Sequence, residues 1–212
     1  MPALNVDASI TRRVQRSPRG MVFSHADFAS LGSRAAVEKA LQRLVKEGKL
    51  RHLARGLWDK PRKDSLVGSL WPTRDAVLSA LARQHRIRLQ PTGLYAANLL
   101  GLSEQVPARI EVLTDAKSRT VQVGPMQIRL RQTTPRNMAG AGQTSGLLIH
   151  ALKSLGPKHI TKDRIAHLRK VIPQDERTRL LRRLRLAPAW MRSFLVEIAD
   201  DSDRQPRKRA SK

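Results

Sequence analysis

The sequence contains no cysteine. That absence excludes a disulfide framework and any thiolate metal site, and it suits a bacterial-type cytoplasm. Aromatic residues make up only 3% of the chain, too few ring faces for a platform that stacks successive bases of a single strand. Acidic residues are scarce as well: 17 Asp and Glu stand against 41 Lys and Arg, a formal charge of +24. No apolar run approaches the roughly 20 residues that span a bilayer, and the first seven residues lack the basic and apolar regions of a signal peptide. What remains is a chain of 212 residues with 40% hydrophobic content, enough to bury one large core or two small ones. So strong a positive charge costs stability through self-repulsion, and a polyanionic partner is the usual reason to retain it. With membranes and single strands disfavoured, duplex nucleic acid is the expected partner.

Local patterns divide the first sixty residues. Ile10 and Val14, one helical turn apart, mark a first helix over residues 8–14. Ser17-Pro18-Arg19-Gly20 breaks it, and Met21-Val22-Phe23 reads as a short extended segment. Ser24 with Asp27 three residues on predicts a capped short helix that buries Phe28 and Leu31 and ends at Gly32. Ser33 caps a second helix over 34–47. Its apolar stripe is Val37, Leu41 and Leu44, and Gly48 follows as a left-handed terminator. Leu50 to Trp58 reads as a hairpin with the basic tip Ala54-Arg55-Gly56, and Pro61 to Ser65 as a polar linker.

Helix, short helix, tight turn, amphipathic helix and basic hairpin, in that order, make a winged helix-turn-helix. The major groove, about 12 Å wide, admits one helix, which needs an apolar face to anchor it and a polar face to meet base edges. Arg34, Lys39 and Gln42 are the expected base-edge residues, with Ser33, Arg43 and Lys46 on phosphates. Arg51, His52 and Arg55 belong to the wing. A solvated basic surface is the competing reading of each of these residues.

Further on, helices are expected over 74–84 and 91–100, and three antiparallel strands over 109–114, 120–123 and 126–131. Helical patterns follow over 147–155, 163–171, 175–184 and 189–198, punctuated by Pro157, Pro173 and Pro188. The expected fold is α+β: an N-terminal winged helix-turn-helix, then a small antiparallel sheet with helices, then a helical C-terminal region. The corresponding segments are residues 1–63, 64–135, 136–199 and a disordered basic tail, 200–212.

Two blocks of sequence resemble a known family. The first runs from Asp27 to Pro61 and includes Phe28, Leu31-Gly32-Ser33, Val37, Leu41, Leu44, Gly48 and Arg55-Gly56-Leu57-Trp58-Asp59-Lys60-Pro61. The second contains Pro91-Thr92-Gly93, Ala96-Ala97-Asn98-Leu99-Leu100-Gly101-Leu102-Ser103, Gln105-Val106-Pro107-Ala108 and Leu113-Thr114-Asp115. Together they look like the AbiEi-type antitoxins of type IV toxin–antitoxin systems, over about residues 8–135, with Trp58 where the family usually has Tyr. The resemblance implies a transcriptional repressor that binds inverted repeats in its own promoter. It also implies a C-terminal domain that neutralises a cognate nucleotidyltransferase-like toxin, in a bacterial phage-defence or plasmid-maintenance locus. The expected location is the cytoplasm, on the nucleoid. A stand-alone winged-helix regulator without a toxin, or an RNA-associated basic protein, are the alternatives.

Enzyme chemistry finds little support, and no catalytic residue, cofactor or metal is expected. His159, Asp163 and His167 form no further ligand cluster and read as surface residues of a basic helix. Ser145 and His150 fall on different helical faces. The glycine-rich stretch 140–146 lacks the Gly-Lys-Ser/Thr ending of a phosphate loop and reads as a flexible joint. Arg119, Arg129 and Arg131 form a strip on the sheet that reads either as solvated surface, the preferred reading, or as a second anion-binding surface. Arg179, Arg182 and Arg183 share one helical face at spacings of three and four, where like charges repel. They form a candidate second surface for a polyanion or an acidic partner.

Overall fold

The computed structural model describes residues 6–105 and 109–200. The expectation of a disordered tail, and the Val106-Pro107-Ala108 part of the resemblance, lie outside those residues. In chain order the helices are α1 (Val6–Arg16), α2 (Arg34–Lys46), α3 (Arg74–His85), α4 (Gly93–Leu99), α5 (Pro135–Met138), α6 (Thr144–Leu155), α7 (Lys162–Val171), α8 (Gln174–Leu181) and α9 (Arg192–Ala199). The strands are β1 (Val22–Ser24), β2 (Arg51–Ala54), β3 (Leu57–Asp59), β4 (Arg62–Asp64), β5 (Gly68–Leu70), β6 (Leu89–Pro91), β7 (Arg109–Thr114), β8 (Arg119–Val123) and β9 (Met126–Gln132). The protein is α+β. Among the described residues, no helix is long and apolar enough to cross a membrane.

Contacts gather the described residues into two compact units, one drawn from Met1–Leu89 with Ser118–Leu130 and the other from Gln90–Lys117 with Arg131–Lys212. In the first unit, Ile10 and Val14 of α1 and Val37, Ala40, Leu41 and Leu44 of α2 meet Phe23, Phe28, Leu50 and Trp58 in one core. The small sheet has the order β1-β3-β2, with β3 in the centre and all pairs antiparallel. Trp58 on β3 lies between Phe23 and His52 in register. The Asp27 carboxylate accepts from the Ser24 amide at 2.7 Å and the Ser24 hydroxyl at 2.9 Å, which fixes the start of the 3-10 turn His25–Phe28. Arg83 of α3 donates to Asp27 at 2.8 Å and to the Val22 carbonyl at 2.9 Å, tying α3 to the same turn.

Two local expectations for this unit need revision. The short helix before Gly32 is a single 3-10 turn, and Gly32 has a packing role: a Cβ there would come within 2.7 Å of the Val6 side chain. The segment read as a linker from Pro61 is instead the hairpin β4–β5. Its turn is set by Asp64, whose carboxylate accepts the Leu66 amide at 2.9 Å and the Val67 amide at 3.1 Å. Those two amides hold the Asp64 carboxyl below the ordinary carboxylate range. The three strands expected after Arg109 are present as β7, β8 and β9. β8 and β9 pair as an antiparallel hairpin, Arg119 opposite Leu130 through Val123 opposite Met126, and this hairpin belongs to the first unit.

The second unit is mainly helical. Ala96, Ala97 and Leu100 at α4, Leu148, Ile149 and Leu152 on α6, Ile165 and Leu168 on α7, Leu180 on α8, and Leu195 and Ile198 on α9 share one core. The fit of α4 against α6 and of α9 against α7 and α8 follows from these apolar stripes. α8 ends at Leu181, three residues before the sequence-based limit, and a 3-10 turn, Leu184–Leu186, follows. In the stretch 140–146, read as a flexible joint, Gly140 and Gly146 pack against each other while Gly142 and Gln143 are exposed. A Cβ on Gly146 would lie 2.1 Å from the Gly140 carbonyl oxygen, so the absence of side chains permits a backbone crossing.

Candidate nucleic-acid interface

Helix α2 has its apolar stripe wholly in the core, which leaves the opposite face to solvent. Ser33, Arg34, Lys39, Gln42 and Lys46 are all exposed. At 100° per residue, Lys39, Gln42 and Lys46 form the outermost line, and Arg34 lies at one edge. Ser33 caps the helix as expected, its hydroxyl accepting from the Ala36 amide at 3.3 Å.

Arg43 lies on the other edge, half-exposed, and reaches toward α1. It donates to Asp7 at 3.0 and 2.7 Å and to the Thr11 hydroxyl at 3.0 Å, and it pairs with Glu47. The Asp7 hydrogen bonds raise its pKa further above the ordinary guanidinium value. The arginine given to phosphate by its position on the helix therefore clamps α1 to α2. Arg51 is likewise engaged. It makes a two-pronged ion pair with Asp59 at 3.0 and 2.7 Å, donates to the Leu70 carbonyl at 2.7 Å, and stacks 4.4 Å over the Trp71 ring.

The remaining wing residues are exposed. His52 and Arg55 stand on the β2–β3 hairpin, whose two-residue turn is Arg55–Gly56. Gly56 has a φ of +75°, and a Cβ there would meet Gln84 Nε2 at 2.4 Å. The turn therefore favours glycine for its conformation, and a side chain there would make Gln84 shift. Gln84 Nε2 donates to the Arg55 carbonyl at 3.2 Å and holds the tip in place.

Arg34, His52 and Arg55 share a cleft of about 930 Å³ with His25, Glu38 and Arg119, all within the first unit. His25 and Glu38 were not singled out by sequence patterns. His25 Nε2 lies 2.7 Å from Glu38 Oε2, and the His25 ring meets Trp58 edge-on at 4.9 Å between centroids. Glu38 also accepts from Gln42 Nε2 at 3.3 Å, so the orientation of Gln42 is coupled to this cluster. Only folding brings residue 25 beside residue 38, and no local periodicity signals the pair. His85, on the far wall of the cleft, is held below the ordinary imidazole range by burial and then by the Arg119 charge.

In the second unit, Arg179, Arg182 and Arg183 are gathered, together with Arg185, around one cavity. They do not form a continuous helical face, because α8 stops before Arg182. His159 and His167 are separated in role: His167 Nε2 lies 3.0 Å from the Leu100 carbonyl and fills the space above Gly101. Among the described residues, no group of three or more His, Asp or Glu could hold a metal ion.

These two units define an α+β protein with a basic, solvent-facing helix and hairpin in the first. The chain belongs to DUF6088, a family of unknown function, whose match runs over residues 9–180. No curated protein matches it. Among solved structures it is similar to the RV2827C protein from Mycobacterium tuberculosis, at 17% identity and a TM-score of 0.45, over 95% of this chain and 82% of that one.

Proposed function

We propose that the first unit is a winged helix-turn-helix that binds double-stranded DNA sequence-specifically, with α2 in the major groove. The observation that carries this reading is the outer face of α2. Lys39, Gln42 and Lys46 stand exposed in one line, and Arg34 and the hairpin-tip Arg55 share a separate cleft. Arg34, Lys39 and Gln42 read base edges; Lys46 and Arg55 meet phosphates. Ser33 starts the helix, and its exposed position suits a phosphate contact as well. His52 supports the wing. Arg43 and Arg51 serve the interface indirectly, by holding α1 and the hairpin in place.

With the family resemblance added, the chain is a non-enzymatic autorepressor of its own promoter and the antitoxin partner of a nucleotidyltransferase-like toxin, working at the nucleoid. The resemblance, carried by Asp27–Pro61 and Pro91–Asp115, is the ground for that part.

Footprinting on the native promoter tests the DNA reading. Protection of an inverted repeat is expected, with affinity falling steeply as salt rises. Lys46→Ala should weaken all sequences alike and reduce the slope of log K against log salt by about 1, whereas Arg34→Ala or Gln42→Ala should relax sequence preference. No protected repeat, or duplex RNA bound as tightly as the promoter, refutes it. Growth rescue on co-expression with an adjacent nucleotidyltransferase-like gene tests the antitoxin role. Absence of such a gene removes that role and leaves the DNA reading standing.

A further inference from the structure

We propose that the second unit contains a separate binding site for the phosphate groups of a small phosphorylated ligand, between the start of α6 and the turn after α8. The site goes beyond the duplex-binding reading and uses none of its residues. Its cavity measures about 690 Å³ and is lined by Thr144, Ser145, Arg179, Arg182, Arg183 and Arg185, among others. That volume falls in the range of small-molecule pockets.

Ser145 points to a missing ligand. The residue is only 4% exposed and lines the cavity, yet its hydroxyl oxygen is buried without a hydrogen-bond partner among the described residues. Buried hydroxyls are normally satisfied, and an unmet one is costly. Ser145 lines the cavity, and turning its hydroxyl toward a phosphate oxygen held there would give it a partner.

The charges point the same way. Glu176 also faces the cavity, but its carboxylate accepts from Arg179 at 2.6 Å, and Asp175 lies 3.4 Å from the same guanidinium. Arg179 is thus neutralised. Arg183 makes one long bond, 3.5 Å, to the Ala139 carbonyl. Arg182 and Arg185 have no ion pair among the described residues. Arg182, Arg183 and Arg185 thus line one cavity without an ion pair among the described residues, and a phosphate there could accept two-pronged bonds from them.

The start of α6 adds donors. Its first turn carries no acidic residue, and the N-cap Gln143 makes no side-chain cap bond. Amides of the first turn have no intrahelical acceptor, and the helix dipole favours an anion there. The crossing of Gly140 and Gly146 holds the preceding turn against this helix start. Among the described residues no aromatic side chain lines the cavity, and the recognition proposed is of phosphate alone.

Calorimetry on the full chain with inorganic tripolyphosphate, ATP, GTP and adenosine tests the site. Tripolyphosphate, ATP and GTP should each saturate one site with similar affinity, and adenosine should not bind. Arg182→Ala/Arg185→Ala should weaken tripolyphosphate by about a hundredfold, and Ser145→Ala by about tenfold with an unchanged melting temperature. Lys158→Ala/Lys170→Ala, which removes the same charge from exposed positions of this unit, should change affinity by less than about twofold. Equal losses in the two double variants, no loss in Ser145→Ala, non-saturating heats, or a requirement for one particular base would each overturn the proposal.

Discussion

Replacing Arg51 by alanine should destabilise the first unit severely while leaving the outer face of α2 intact. Asp59 is 0% exposed, and its carboxylate receives both bonds of the Arg51 fork. Removing the guanidinium leaves that buried charge unmatched, a change that costs about 3–5 kcal/mol. The lost bond to the Leu70 carbonyl and the stacking over Trp71 add to the deficit. The Arg51 side chain is 23% exposed, so water entering its place returns part of the loss, and about 3 kcal/mol is the expected net effect. For a unit of this size, 3 kcal/mol corresponds to a fall in Tm of about 12–24 °C. Urea unfolding followed by tryptophan fluorescence is the assay, since Trp58 is buried in this unit's core. Lys46→Ala removes the same charge from an exposed position and should stay within about 0.5 kcal/mol of the parent. Arg51→Met/Asp59→Leu, which removes both charges, should recover most of the loss. If Arg51→Ala unfolds within about 0.5 kcal/mol of the parent, the internal role of Arg51 is wrong and its assignment to phosphate returns.

Two further outcomes test the packing and the electrostatics. Gly146→Ala places a Cβ 2.1 Å from the Gly140 carbonyl and 2.6 Å from Gln90 Oε1, so backbone must move at a cost of about 2 kcal/mol or more. Gly48→Ala meets nothing within 4 Å and pays only for a φ of +67°, about 1 kcal/mol; denaturant midpoints in the reverse order would refute both readings. His150 is pushed below the ordinary imidazole range by burial, aided by Lys153 and Arg131 and opposed by its bond to the Asn137 carbonyl. Its neutral form is therefore favoured in the folded state. The stability it contributes is complete above the unfolded value, 6.5, and is lost as pH falls from there through the depressed folded value. A unit whose stability between pH 7.5 and 5.5 is the same in the parent and in His150→Gln would contradict this.

The parts legible in the sequence are those specified by neighbours along the chain. Ile10 and Val14 mark α1 because residues one turn apart share a face. Ser24 with Asp27 and Ser33 with Ala36 announce helix starts because capping bonds span three residues. Gly48 and Gly56 mark turns through their backbone freedom. By the same periodicity, the outward positions of α2, including Lys39, Gln42 and Lys46, follow directly from the inward ones. The hairpin at Arg62 escapes such a reading, because its strands are exposed and show no alternation of apolar and polar residues.

The sequence by itself thus determined the basic, two-faced helix α2 and the capped turns around it, since helix period, caps and glycine turns are local physics. Only the tertiary structure decided which of the basic side chains stay free. Arg43 finds Asp7 across 36 positions, Arg51 finds a fully buried Asp59 opposite it on the neighbouring strand, and Arg182, Arg183 and Arg185 line one cavity with the start of α6. A cation's role depends on which anion the fold places within about 4 Å of it. That distance is set by strand register and packing, which the local sequence pattern does not show.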